Sequence, residues 1–205
     1  MNQYTINHNS YLSINTKAFF HVPYTRMGNP GNPDYLNDLK NTFNNFSETK
    51  LRSAVQELHN ALQEDLPKIL DLLRFNALDV CVVPRAKSES AYHANQQLFR
   101  TTVQRVVRQL PGFVDGTSYL RRHTNTKTTH LRKEVPNYTN DGPEPYKGIT
   151  KQTCDISSQV KDKNILLIDD IYTPGVNIDE DAIQALLQAG ANTVTFYSVG
   201  KVERY

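Results

Sequence analysis

A chain of 205 residues with 23 basic and 21 acidic side chains carries a formal charge of +2, which argues neither for nor against a polyanionic partner. Its two cysteines, Cys81 and Cys154, cannot make a disulfide framework, and Cys81 lies in an apolar strand pattern that suits a buried thiol. No apolar run approaches the roughly 20 residues that cross a bilayer and no basic-then-apolar leader opens the chain, so a soluble cytoplasmic protein without membrane contact is expected.

Residues 1–46 are polar and asparagine-rich, and Gly28-Asn29-Pro30-Gly31-Asn32-Pro33-Asp34 reads as turns. Tyr11, Phe19, Phe20, Val22 and Tyr24 suit a short strand or a covering flap, so this part reads as an N-terminal extension or hood segment packed on a domain spanning 47–205. From Ser47, a plausible N-cap, Leu51, Ala54, Val55, Leu58, Ala61 and Leu62 recur at helical spacing. Asp65 and Pro67 then suit the cap and first turn of a second helix carrying Ile69, Leu70, Leu72 and Leu73.

Leu78 to Pro84 reads as a buried strand that ends in the polar turn Arg85-Ala86-Lys87-Ser88. A helix is expected from about Glu89 to Leu110, with Tyr92, Leu98, Phe99, Val103, Val106, Val107 and Leu110 on one face and Pro111-Gly112 as its stop. Ser118 to Arg122 suits a short strand. Residues 123–150 are poor in apolar side chains and read as a long loop or hood.

The last third is the clearest. Ile165 to Ile168 is too short for a buried helix and suits a buried parallel strand, with Asp169 and Asp170 at its end. A glycine-bearing turn leads to a helix over 178–189, opened by a capping box at Asn177-Ile178-Asp179-Glu180 and closed by Gly190; a strand over 193–199 follows. This βαβ unit predicts an α/β fold around a mostly parallel sheet, whose ligands sit beyond the carboxyl ends of the strands. Both polar turns, 85–88 and 169–177, fall at such ends.

Side chains alternate along a strand, so Asp169 and Asp170 should diverge rather than share a proton. They suit accepting hydrogen bonds from hydroxyls, or holding Mg²⁺ through water. Thr173 to Asn177 suits a phosphate cradle of backbone N–H groups, the Thr173 hydroxyl and the Asn177 amide, with Gly175 allowing close approach and a positive φ.

Leu166-Leu167-Ile168-Asp169-Asp170-Ile171-Tyr172-Thr173-Pro174-Gly175-Val176-Asn177 resembles the phosphoribosyl-pyrophosphate (PRPP) motif of type I phosphoribosyltransferases: four hydrophobics, two acids, two variable residues, then Thr-Thr-Gly and a small or hydroxyl pair. Val82-Val83-Pro84-Arg85 and Leu120-Arg121-Arg122 are similar to the amidophosphoribosyltransferase-like, ComF-like branch. The likeness is specific over about 162–201, extends to 76–135, and is weak over 1–46. It implies a Rossmann-like parallel sheet flanked by helices, with a small hood, and transfer of ribose 5-phosphate from PRPP to a nitrogenous small-molecule acceptor with release of pyrophosphate. By position, Asp169 and Asp170 would hold the ribose hydroxyls, while Thr173, Pro174, Gly175, Val176 and Asn177 would hold the 5′-phosphate. Arg85, Ala86 and Lys87 would form the pyrophosphate loop, and Arg122 and Lys127, with His123, would close over the site. Asp169, Asp170, Arg122 and Lys127 are thus the catalytic candidates, Mg²⁺ would ride on the pyrophosphate without a direct protein ligand, and a homodimer is implied.

The chain departs from the motif at Pro174, which removes a hydroxyl and an N–H from the cradle, and at Asn177. Loss of one hydrogen bond to a charged group costs about 1.5–3 kcal/mol. Asp179, Glu180 and Asp181 further crowd the first helical turn with negative charge. These departures suit a second reading, a PRPP- or nucleotide-binding regulator without turnover. A third reading, a nucleic-acid-binding accessory protein, rests on Arg100, Arg105, Arg108, Arg121, Arg122, Lys127, Arg132 and Lys133, opposed between 98 and 133 by Asp115 alone.

Overall fold

The apolar run Ile165–Ile168 does form a buried strand, yet that strand is longer than its hydrophobic content. In the computed structural model, which describes residues 1–128, 131, 138, 140–142, 149 and 153–203, it runs Asn164–Tyr172 and is β7. The extra length comes from its neighbour: β8, Thr193–Val202, continues the parallel ladder as far as Ile171 opposite Gly200 and Tyr172 opposite Lys201. On the other side β3, Leu78–Val82, stops at Val82 opposite Ile168. Asp169 and Asp170 therefore lie inside β7 rather than after it, and they project past the end of β3.

The sheet has six strands in the order β1-β2-β8-β7-β3-β4, with β1 Asn2–Ile6, β2 Thr16–Tyr24 and β4 Phe113–Asp115. All neighbouring strands pair in parallel except β1 with β2, so the sheet is mixed rather than fully parallel. The first 24 residues supply two of these strands: β2 pairs with β8 from Ala18 opposite Phe196 to Tyr24 opposite Val202. Phe19, Phe20, Val22 and Tyr24, which suit a short strand, thus lie in one that widens the sheet.

Three helices pack on one face: α1 Tyr35–Lys40, α2 Glu48–Leu73 and α3 Leu98–Val107. Their core includes Leu36, Leu58, Leu62, Leu66 and Val103 against Phe19, Val80, Leu166, Ile168 and Tyr197. On the opposite face α4, Ile178–Gln188, and a small hairpin of β5, Leu120–Arg122, with β6, Cys154–Ile156, enclose Ala18, Cys81, Ile165, Leu167 and Phe196. The architecture is α/β, a mostly parallel mixed sheet flanked by helices. Among the described residues no helix is long and apolar enough to cross a membrane.

Three local expectations are corrected. The two helices expected on either side of Pro67 are one, α2, with Ser47 as its N-cap accepting from the Lys50 N–H. The apolar stripe runs unbroken through Leu58, Leu62, Leu66 and Ile69, and its burial outweighs the backbone bond that Pro67 cannot donate. Asp65 is not a cap but a buried acid, accepting from Tyr197 Oη at 3.1 Å and paired with His21 Nδ1 at 2.9 Å. The helix expected from Glu89 is only the ten residues of α3, preceded by two 3₁₀ turns at Glu89–Ala91 and Ala94–Gln96, because residues 89–97 have no apolar spacing to bury. Finally, Asn177 makes no capping bond: it adopts φ 65° and ψ 14°, a left-handed geometry that asparagine tolerates. Much of the loop expected over 123–150 lies outside the described residues.

Candidate ligand-binding cleft

The order in which the chain adds strands reverses across the gap between the parallel strands β3 and β7. From β3 the chain passes through α3, on one face, outward to β4; from β7 it passes through α4, on the other face, outward to β8. Such a switch point leaves a crevice at the carboxyl ends of the two strands. Here it is a cleft of about 130 Å³ lined by Lys40, Thr42, Val83, Pro84, Arg85, Ala86, Tyr92, Arg122, Thr126, Thr128, Tyr138, Asp169, Asp170 and Ile178. The basic turn after β3 thus meets the acid pair of β7.

Asp169 and Asp170 diverge, as alternation requires. Asp170, on the helical-layer side, forms an ion pair with Lys40 Nζ at 3.4 Å. Asp169, on the α4 side, is placed to share a hydrogen bond with the carboxyl group of Asp179, which is 5% exposed. Two carboxyl groups can share such a bond only if one is protonated. Burial and then the Asp170 charge push Asp169 up to about 7, and burial and then Asp169 push Asp179 well above the ordinary carboxylate range. The shifts thus favour proton sharing of Asp169 with Asp179 rather than between the adjacent acids. Next to it, Tyr172 Oη donates to Glu180 Oε1 at 2.9 Å, while Asp179 Oδ1 and Glu180 Oε2 are buried with no hydrogen-bond partner among the described residues.

The basic turn is committed to its own chain. The Arg85 guanidinium stacks on Tyr92 at 4.2 Å and donates to the carbonyls of Gln96 and Lys40, the latter at 2.5 Å. Lys87 is 7% exposed, and its Nζ donates to both the carbonyl and the carboxylate of Asp141 at 2.7 Å. The turn is also stitched to the segment after β5. Arg122 Nε donates to the Arg85 carbonyl at 2.6 Å, the Thr126 N–H to the Ala86 carbonyl at 2.7 Å, and the Ser88 N–H to Asn125 Oδ1 at 2.9 Å. Burial lowers the Arg122 pKa from its ordinary value.

Of the residues assigned from sequence, the cleft gathers Asp169, Asp170, Arg85, Ala86 and Arg122. Lys87 stands behind its wall, and Lys127 is exposed outside the lining. Thr173, Pro174, Gly175, Val176 and Asn177 form the adjoining turn beyond the lining, closed by the Val176 N–H to the Thr173 carbonyl at 3.2 Å. Gly175 does take the positive φ expected of it, 83°. The Asn177 amide is turned to its own chain, donating to the Gly175 carbonyl and accepting from Asn9. Sequence reasoning missed Lys40 and Thr42, which come from the N-terminal third, and Tyr92, read as a helix face; the signal for Asp179 was its place in a first turn where an acid is ordinary.

Part of the arginine-rich stretch is paired with acids locally. Arg100 and Arg121 both pair with Glu89, and Arg108 pairs with Asp115 at 2.7 Å. Arg132 and Lys133 lie outside the described residues. No family model matches the chain, and no curated protein matches it significantly.

Proposed function

We propose that the cleft binds a phosphorylated ribose of the PRPP class and transfers its ribose 5-phosphate to a nitrogenous acceptor, releasing pyrophosphate, on a type I phosphoribosyltransferase-like scaffold. The observation that carries this reading is the meeting, at one strand-switch crevice, of an adjacent acid pair from β7 and a basic turn from β3. In the reaction the bond from ribose C1 to the pyrophosphate oxygen breaks as a nitrogen lone pair attacks that carbon, and the nitrogen loses its proton. Asp169 and Asp170 would accept the ribose 2′- and 3′-hydroxyls and face the positive charge that develops on the ring, so catalysis rests on positioning and charge rather than on a protein nucleophile. Arg122, beside the leaving group, would offset its negative charge. Mg²⁺ would be held by the diphosphate oxygens: Asp169 is occupied by Asp179 and Asp170 by Lys40, so these acids fit hydroxyl acceptors better than metal ligands.

A second reading, binding without turnover, is favoured by one observation: Arg85 and Lys87, the cations of the pyrophosphate turn, already have partners within the chain. Calorimetry with PRPP and Mg²⁺, on the wild type and on Asp169→Asn with Asp170→Asn, separates the outcomes. Binding lost in the double variant, with pyrophosphate released when amines or nucleobases are added, supports transfer. Binding without release across acceptors supports a regulator, and no heat at millimolar PRPP sinks both.

A further inference from the structure

The cleft contains a cation that the phosphoribosyl motif does not specify. Lys40 ends α1, and the turn that carries it is fixed to the far wall. Its carbonyl accepts from Arg85 at 2.5 Å, the carbonyls of Asn41 and Thr42 accept from Gln96 Nε2 at 3.0 Å, and buried Asn41 takes the left-handed cap, φ 37°. The backbone of Lys40 is therefore held while its side chain reaches across the cleft. Its Nζ stands 3.4 Å from Asp170 Oδ1, longer than the roughly 2.7–2.9 Å of a strong charge-assisted bond, with both side chains about a quarter exposed (26% and 22%). Lys87 is the opposite case: two contacts of 2.7 Å and a side chain 8% exposed. An incoming polyanion can draw Lys40 away from Asp170 at little cost, whereas taking Lys87 would strip Asp141 of a buried partner.

We propose that Lys40, rather than Lys87, is the lysine that meets a ligand's diphosphate, and that it makes the cleft prefer diphosphate-bearing over monophosphate-bearing ligands. The inference rests on the phosphoribosyl reading above and deepens it. Lys40 acts as an exchangeable counter-ion: it neutralises Asp170 while the diphosphate is absent and moves to the diphosphate when it enters. Asp170 is thereby released to accept a ribose hydroxyl, so the two halves of one ligand are recognised together.

The probes are inorganic pyrophosphate and ribose 5-phosphate, each titrated calorimetrically with Mg²⁺ into wild type, Lys40→Gln, Lys40→Arg and Lys87→Gln, with circular dichroism as the check on folding. Lys40→Gln is expected to weaken pyrophosphate about tenfold or more, to change ribose 5-phosphate about twofold at most, and to be rescued by Lys40→Arg; Lys87→Gln should leave pyrophosphate affinity within about threefold. The inference is overturned if wild type binds no pyrophosphate at millimolar concentration, if Lys40→Gln binds it unchanged, or if both probes weaken equally. A Lys40-dependent pyrophosphate signal combined with PRPP no tighter than pyrophosphate would keep Lys40 as the diphosphate lysine but overturn the release of Asp170 to a ribose hydroxyl and, with it, the phosphoribosyl reading.

Discussion

Asp169, Asp179 and Asp170 place three carboxyl groups around one strand end, with Glu180 and Asp181 close behind and Lys40 facing them only from the Asp170 side. With both pKa values pushed up, the Asp169–Asp179 pair should retain a proton that an unfolded chain releases near the ordinary carboxylate pKa of about 4. Between about pH 4 and about pH 7 the folded protein thus binds more protons than the unfolded chain, and stability falls as pH rises across that window. Asp181, pushed up to about 6 by burial, adds to the same slope over its lower part. Asp179→Asn, whose amide still donates to Asp169 without a proton to lose, should flatten the slope and raise stability at pH 8 by about 1–3 kcal/mol. Urea titrations at pH 5 and pH 8 measure it; an unchanged difference between the two would refute the shared proton. Tyr172→Phe should cost about 1–3 kcal/mol, because buried Glu180 would then lack a partner on either oxygen. That the adjacent acids part company was legible from strand alternation alone. Their partners were not, since Lys40 and Asp179 reach the site through α1 and the turn after β7, and one sequence carries no record of such meetings.

At the level of elements, hydrophobic spacing located α2, β3, β7, α4 and β8, and where it failed the competing force can be named. Pro67 looked like a boundary, yet α2 continues past it because Leu66 and Ile69 are fully buried. The retained defect makes a prediction: Pro67→Ala restores a backbone donor and should stabilise the fold by up to about 3 kcal/mol, read as a rise of about 2–4 °C in Tm per kcal/mol. Residues 89–97 looked helical only by continuation from α3. The stitching of 122–128 to the basic turn was likewise invisible, since it runs through backbone carbonyls that any sequence offers. Gly142 tests that stitching. At φ 100° it lies against Asn125, whose carbonyl oxygen would sit 2.4 Å from an added Cβ. Gly142→Ala should push residues 140–142 away, free Lys87 from Asp141, and speed amide exchange at Thr126 and Ser88 while leaving β7 protected.

Across the whole molecule, a buried acid adds a polar tie between the helical layer and the sheet. Asp65 on α2 accepts from Tyr197 on β8 and pairs with His21 on β2, and Met1 N stands 4.0 Å from its second oxygen. Asp65→Asn should lower stability by about 1–3 kcal/mol in a denaturant titration, and Tyr197→Phe by less, since the acid would keep His21. The α/β class and the switch-point cleft were readable in advance from the alternation of strands and helices. Of the two N-terminal strands, β2 was foreshadowed by Phe19, Phe20, Val22 and Tyr24, which suited a short strand or a flap; β1 was not, because an edge strand half open to solvent is written mainly in polar residues, and it contributes only Ile6 as a fully buried side chain.

The pairing of β2 with β8 sets a timetable for the polypeptide. Ala18 meets Phe196 only after almost the whole chain has been made, so during synthesis at about 5–20 residues per second the N-terminal strands wait for their neighbour for seconds or longer. Phe19 and Phe20 spend that interval without their final cover, and the rest of the sheet can assemble around β3 and β7 before its eventual edge arrives. Such a contact of maximal sequence separation makes closure of β2 onto β8 a late and slow event. Pulse-labelled hydrogen exchange during refolding should therefore protect Val80 and Leu167 before Phe19 and Phe20, and the waiting strands are where a nascent or stalled chain would be captured by a chaperone.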